Sequence, residues 1–247
     1  MTVQNGARQV LRHSRSALRR LIARFPALYL PWARSRRRAF DGSVKAVGPG
    51  TEIVIEGFPR CGNSFAFAAF RLAQERETRI AHHLHAPAQV VAAVRRGIPA
   101  LVVIRPPEDA VVSLMVRDPR VTPEDALRDY VGFYEPLVEH AGAFVVADFS
   151  EVTTDFGRVV RRVNSRFGTR FREFEHSPAN VERCFHLLEE IHGAVRAEDR
   201  DFEAGVARPS AERDRRKQAA RDRLSDPRLE KLRATAREVY ERLRGRA

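Results

Sequence analysis

The sequence predicts an α/β fold: a mostly parallel sheet flanked by helices on both faces, with helical extensions at the N- and C-terminal ends. Two observations carry this prediction. Short apolar, β-branched runs alternate with amphipathic stretches between residues 52 and 167, and each run is followed by the Pro, Gly or acidic residues that open a helix. Parallel strands require such crossover helices, because a tight hairpin cannot join them. At 247 residues and 43% hydrophobic content the chain can bury one sizeable core. We therefore expect a single α/β domain over 46–247, helical from 177 onward, preceded by a basic amphipathic extension over 1–45.

Taken in order, residues 8–38 place Val10, Leu11, Leu18, Leu21, Ile22, Phe25 and Leu28 near one helical face, with arginines largely on the other. Such a helix ordinarily packs on the domain that follows it, although basic residues with Trp32 near the end also suit an anionic membrane surface. Pro26 and Pro31 should bend or end it, and residues 41–51 read as a loop. EIVIEG opens the core as a strand, followed by a glycine-bounded turn and a helix over 64–75. A helix over 87–97 precedes ALVVIR at 100–105, a buried strand bounded by Pro99 and Pro106. Pro107, Glu108 and Asp109 then open a helix in the favoured way. Thr122 to Asp125 begin another over 122–140, AFVVADF at 143–149 is the third strand, and 155–167 is helical. The remainder is helical and charged, ending in an amphipathic LEKLRATAREVYERL, and no internal repeat is seen.

The chemistry is concentrated in the first turn. From Gly57 to Ser64 the chain satisfies the P-loop spacing, GxxxxG followed two residues later by Ser, except that Asn63 stands where the loop lysine belongs. Backbone N–H groups at the start of the helix still favour an anion there. The cation that reaches the far phosphates of ATP is missing, and a positive charge lies instead inside the loop at Arg60.

Pro59, Arg60, Cys61, Gly62, Asn63, Ser64 and Phe65 resemble the 5′-phosphosulfate loop of sulfotransferases that use 3′-phosphoadenosine 5′-phosphosulfate (PAPS). A second element of that family is a strand ending in Arg, a Pro- and Asp-containing turn and a Ser eight residues beyond. Arg105, Asp109 and Ser113 supply it here. The resemblance implies that Ser64 and the amides of residues 61–65 hold the 5′-phosphate. It also implies that Arg60, where lysine is usual, stabilises charge on the leaving phosphate, and that Arg105 and Ser113 take the 3′-phosphate. Otherwise an arginine ending a strand commonly pairs with an acid, here Glu108 or Asp109. Family members also close a basic C-terminal segment over the 3′-phosphate, a role open to Arg208 and Arg213 in ARPSAERDRRK.

Transfer to a hydroxyl or amine needs a proton acceptor, and histidine suits that task near neutral pH. His82, His83 and His85 lie between the two motifs. Laid over the family's Lys-Thr-His-Leu-Pro stretch, Ala81 to His85 put His83 at the base position, with His85 as the alternative. Ala81 and His85 replace that stretch's lysine and proline. The resemblance thus implies direct sulfuryl transfer from PAPS, with 3′-phosphoadenosine 5′-phosphate (PAP) as product and no metal required. The acceptor, on a carbohydrate, lipid or small molecule, is not readable.

Net charge is +12, and lysine stands only at positions 45, 217 and 231, leaving 41 arginines among 44 basic residues. This balance favours anionic partners in general; peripheral contact of residues 8–38 with an anionic membrane is the alternative to packing on the domain, and no nucleic acid is expected. The two cysteines are too few for a disulfide framework. With no membrane-length apolar run and no signal-peptide core, we expect a soluble cytoplasmic protein. Two alternatives remain: a P-loop-type kinase, which would need the lysine and a strand ending on an acid for magnesium, and a basic membrane- or nucleic-acid-binding protein without catalysis.

Overall fold

A computed structural model describes residues 18–36, 46–195 and 211–246. In chain order the elements are α1 (Pro26–Arg36), β1 (Ile53–Gly57), α2 (Asn63–Ala73), β2 (Ile80–His82), α3 (Pro87–Arg95), β3 (Ala100–Ile104), α4 (Pro107–Arg117), α5 (Pro123–Val138), β4 (Val145–Asp148), α6 (Phe149–Thr154), α7 (Phe156–Phe167), α8 (Pro178–Val195), α9 (Ala211–Leu224) and α10 (Glu230–Arg244). The strands form one parallel sheet in the order β2-β1-β3-β4. β1 and β3 lie at its centre and are buried throughout, which is why β3 reads as a continuous apolar run and β1 as one up to Glu56.

The strand order fixes which face each helix covers. The step from β1 to β2 goes one way across the sheet and the return from β2 to β3 goes the other, so right-handed crossovers put their helices on opposite faces. Accordingly α2 packs with α6, α7 and α8 on one side, while α3, α4, α5 and α10 pack together on the other. Adjacent strands β1 and β3 therefore send their helices to opposite faces, opening a crevice beyond their carboxyl ends. Both sequence motifs fall at that crevice.

Several expectations are corrected. β2 was unforeseen: three residues, two of them not strong strand formers, pair with Ile53 to Ile55 along β1. The third predicted strand stops at Asp148, because that side chain caps α6 and draws Phe149 into the helix. Pro31 sits inside α1, which Pro26 opens. Buried Tyr29, Leu30 and Ala33 anchor this helix to the domain against the loss of one backbone bond.

The N-terminal segment packs, but of its apolar stripe only Ile22, among the described residues, lies against the core. Arg20 pairs with Asp129 at 2.6 Å, Arg24 with Glu135 at 2.8 Å, and the Ala23 carbonyl accepts from the Ala88 amide at 2.9 Å. Leu18, Leu21, Phe25, Leu28 and Trp32 face outward, at 40–62% exposure. Val10 and Leu11 lie outside the described residues, as do Arg208 and the side chain of Arg213. Among the described residues no helix is long and apolar enough to cross a membrane.

Candidate functional site

The glycine turn is built by close approach. A Cβ on Gly57 would lie 2.4 Å from the Val103 carbonyl oxygen and 2.6 Å from Asn63 Oδ1, so only glycine lets β1 and β3 meet where the turn begins. Asn63, the residue in place of the P-loop lysine, is buried, and its side-chain amide donates to the Phe58 carbonyl at 2.9 Å and the Gly57 carbonyl at 3.3 Å. It braces the loop from within. Tyr134, which sequence reasoning missed, performs a similar task from α5. Its hydroxyl donates to Val103 O at 2.6 Å and accepts from Phe58 N at 3.1 Å, tying β3 to the loop. Cys61 Sγ lies 3.3 Å from the same hydroxyl. Burial pushes the Cys61 thiol up to about 12 and holds Tyr134 well above the ordinary phenol range.

Gly62 caps α2 in the left-handed region, φ 95°, and no side chain caps this helix. The amides of its first turn are thus left pointing into the crevice, with the positive end of the helix dipole behind them. Pro59, Arg60, Gly62 and Ser64 are partly exposed there, whereas Phe65 is buried against Phe174.

Arg105 leaves the end of β3 and turns toward the loop. Its Nη1 donates to the Arg60 carbonyl at 3.0 Å, its guanidinium carbon lies 4.1 Å from the centre of the Phe149 ring, and Tyr130 donates to its carbonyl at 2.7 Å. The acid pairing considered for Arg105 is taken elsewhere: Glu108 pairs with Arg237 at 2.6 Å. Arg60 Nε in turn donates to Ser113 Oγ on α4 at 3.2 Å. Arg60, Arg105 and Ser113, spread over 53 residues of sequence, therefore form one hydrogen-bonded group beside the uncapped start of α2.

The histidines close the other side. His83 Nε2 shares a hydrogen bond with Ser64 Oγ at 3.0 Å, and its Nδ1 lies 2.6 Å from His82 Nδ1. His82 stacks on Phe67 with centroids 4.0 Å apart. His85 Nδ1 donates to the Gly57 carbonyl at 2.8 Å. Beneath them lies Glu56, fully buried, which no sequence pattern singled out. Its carboxylate accepts from the amides of Leu84 at 2.7 Å and His85 at 3.1 Å and from Gln89 Nε2 at 2.7 Å. Desolvation raises its pKa from 4.5 to about 7, against the pull of these donors.

Backbone strain marks the same places. Among the described residues, the non-glycine positions with positive φ are Arg60 at 71°, His83 at 56° and His85 at 50°. Each costs on the order of 1–3 kcal/mol and persists only where surrounding contacts impose it.

One strand does end on an acid, as the kinase alternative would need: β4 ends on Asp148. That carboxylate is occupied: Oδ1 accepts from Ser150, and Oδ2 accepts from Tyr240 at 2.7 Å. Among the described residues no cluster of His, Cys, Asp and Glu could hold a metal ion.

No protein-family model and no curated protein matches the chain. Among solved structures, mouse sulfotransferase SULT7A1 complexed with PAP aligns over 84% of this chain and 94% of its own, at 12% identity and a TM-score of 0.41. At that depth the likeness carries no argument about chemistry.

Proposed function

We propose that the chain is a PAPS-dependent sulfotransferase. The observation that carries this reading is the meeting of the two anion-type motifs: Arg105 reaches the glycine loop through the Arg60 carbonyl, and Arg60 reaches Ser113. The residues fit a donor with phosphates at two ribose positions, because the uncapped start of α2 adjoins Arg60, whose carbonyl accepts from Arg105 and whose guanidinium donates to Ser113.

In this reading the α2 amides and Ser64 hold the 5′-phosphate, and Arg105 with Ser113 selects the 3′-phosphate. Arg208 and Arg213 are proposed to close over it. When bound, PAPS supplies the sulfuryl group and a phosphate that leaves with the electron pair of the broken S–O bond. Arg60 neutralises the charge gathering on that phosphate, and its planar fork can grip two oxygens. His83 accepts the proton from the acceptor hydroxyl or amine as its oxygen or nitrogen bonds to sulfur. Positioning and charge neutralisation supply most of the acceleration, with no covalent intermediate on the protein and no metal. The kinase alternative is disfavoured because Asn63 is buried as a brace and Asp148 is engaged as a cap. For the outward apolar row of the N-terminal segment we propose contact with an anionic membrane surface.

Calorimetric titration with PAP, AMP and ATP tests the reading. Wild type is expected to bind PAP at least tenfold more tightly than either. Arg105→Ala removes a charged partner of the 3′-phosphate, worth about 1.5–3 kcal/mol or roughly 10- to 150-fold in Kd, and leaves AMP affinity within about twofold. Equal affinity of wild type for PAP and AMP would refute it.

A further inference from the structure

β2 ends on His82, and the chain then changes direction. Successive side chains of a strand point to opposite faces, but His83 has left-handed backbone, φ 56°, which cancels the alternation. Its ring therefore comes round beside that of His82, with centroids 4.8 Å apart and planes at 86°.

α2 meets this pair with one face. Ser64 and Phe67 stand three residues apart, about one turn along the helix. Phe67 stacks on the buried His82 ring at 4.0 Å between centroids and fixes its place, while Ser64 Oγ lies 3.0 Å from His83 Nε2. His83 Nδ1 in turn lies 2.6 Å from His82 Nδ1, so Ser64, His83 and His82 form one hydrogen-bonded chain.

The protons along this chain can be placed. Ser64 Oγ has no other hydrogen-bond partner among the described residues, so its single O–H is directed at His83 Nε2. A neutral imidazole accepts at one nitrogen and donates at the other. With Nε2 accepting, Nδ1 carries the ring proton and donates to His82 Nδ1. Nε2 is the nitrogen that the sulfotransferase reading needs unprotonated.

We infer that His82 is a positioning residue for the transfer: it holds His83 in the tautomer whose Nε2 lone pair faces Ser64, and Ser64 covers that lone pair until the donor's phosphate draws its O–H away. A hydroxyl has one hydrogen to donate. Once that hydrogen turns to the phosphate, the Ser64 oxygen presents a lone pair to the lone pair of Nε2, and a proton donor offered to Nε2 relieves the opposition. The acceptor's O–H or N–H is such a donor. Its proton passes to Nε2 as its oxygen or nitrogen bonds to sulfur, and the S–O bond to the leaving phosphate breaks with its electron pair. The Nδ1 proton stays on His83, donating to His82. The base is thus uncovered only after the donor has bound. This inference rests on the sulfotransferase reading and adds to it a residue and an order of events.

Nitrogen-15 NMR of the imidazole rings tests it in the full chain at about pH 8, above the ordinary imidazole range, with His83→Gln identifying the His83 signals. In the ligand-free wild type the Nδ1–H tautomer of His83 is expected to exceed the Nε2–H tautomer at least about fivefold, the factor that one ordinary hydrogen bond supplies. His82→Phe keeps a ring against Phe67 but offers no lone pair, and should abolish that excess. His82→Asn, whose side-chain oxygen can accept, should retain it. Saturating PAP should shift the His83 Nε2 resonance, and Ser64→Ala should shift it the same way without ligand. A dominant Nε2–H tautomer in the ligand-free wild type, an Nδ1–H excess that survives His82→Phe, or one lost equally in His82→Asn overturns the role of His82. PAP that binds by calorimetry yet leaves the Nε2 resonance unmoved overturns the part given to Ser64. Failure of the wild type to bind PAP overturns the donor reading, and this inference with it.

Discussion

Glu56 offers the sharpest test of how the site is held. Its carboxylate is fully buried at the end of β1 and receives three N–H donors from the loop and helix that follow β2. Desolvation dominates and raises its pKa from 4.5 to about 7. The folded protein thus holds this proton more tightly than the unfolded chain. Its stabilising contribution is complete below pH 4.5 and is lost as pH rises through 7. Integrating the proton difference between pH 5 and pH 8 gives a loss of about 2.5 kcal/mol, at 1.36 kcal/mol per pKa unit. Glu56→Gln removes the titration and places an amide nitrogen near the His85 N–H, which shifts stability by a pH-independent amount. Urea unfolding of both proteins at half-unit steps across this range isolates the effect, because subtraction cancels other titrating groups. The wild-type advantage over the variant should fall by about 2.5 kcal/mol from pH 5 to pH 8. A flat difference would refute the claim that the buried carboxyl titrates near neutrality.

Other consequences are equally direct. Gly57→Ala forces a Cβ to within 2.4 Å of a backbone oxygen of β3; we expect a loss of about 3 kcal/mol by denaturant unfolding and a PAP affinity too weak to titrate. Tyr134→Phe leaves the Phe58 amide and the Val103 carbonyl without their shared partner, a cost of about 1–3 kcal/mol by the same measurement. Cys61, with its thiol pushed up to about 12, should react with a disulfide reagent at pH 8 at least about 100-fold more slowly in the folded protein than in urea.

The parts of the fold that sequence exposed most clearly were those whose residues answer to one dominant force. β1 and β3 are buried on both faces, so β3 reads as an unbroken apolar run and β1 as one interrupted only by Glu56. α4 and α5 begin at Pro107 and Pro123, with acids in the first turn and, for α5, Thr122 accepting from the Asp125 amide. β2 escaped because its stability comes from pairing with β1, which no local pattern encodes. The outward stripe on the N-terminal segment escaped for the reverse reason: the ion pairs of Arg20 and Arg24 and the buried Ala23, Tyr29, Leu30 and Ala33 decide which face meets the domain. In the candidate site, the family resemblance singled out Arg60, Ser64, Arg105, Ser113 and His83; Arg60 bonds Ser113 and Arg105, and His83 bonds Ser64. Glu56 and Tyr134 could not be found that way, because each acts by satisfying backbone groups of residues remote in sequence.

Left-handed backbone at Arg60, His83 and His85 has a practical consequence. Any search for a more heat-tolerant version of this protein would be drawn to glycine at these three positions, where it relieves torsional stress. Each such gain would discard a hydrogen bond beside the glycine loop: Arg60 to Ser113, His83 to Ser64 or His85 to the Gly57 carbonyl. Under the sulfotransferase reading, robustness and chemistry compete at residues 60, 83 and 85, and selection for one should register as erosion of the other.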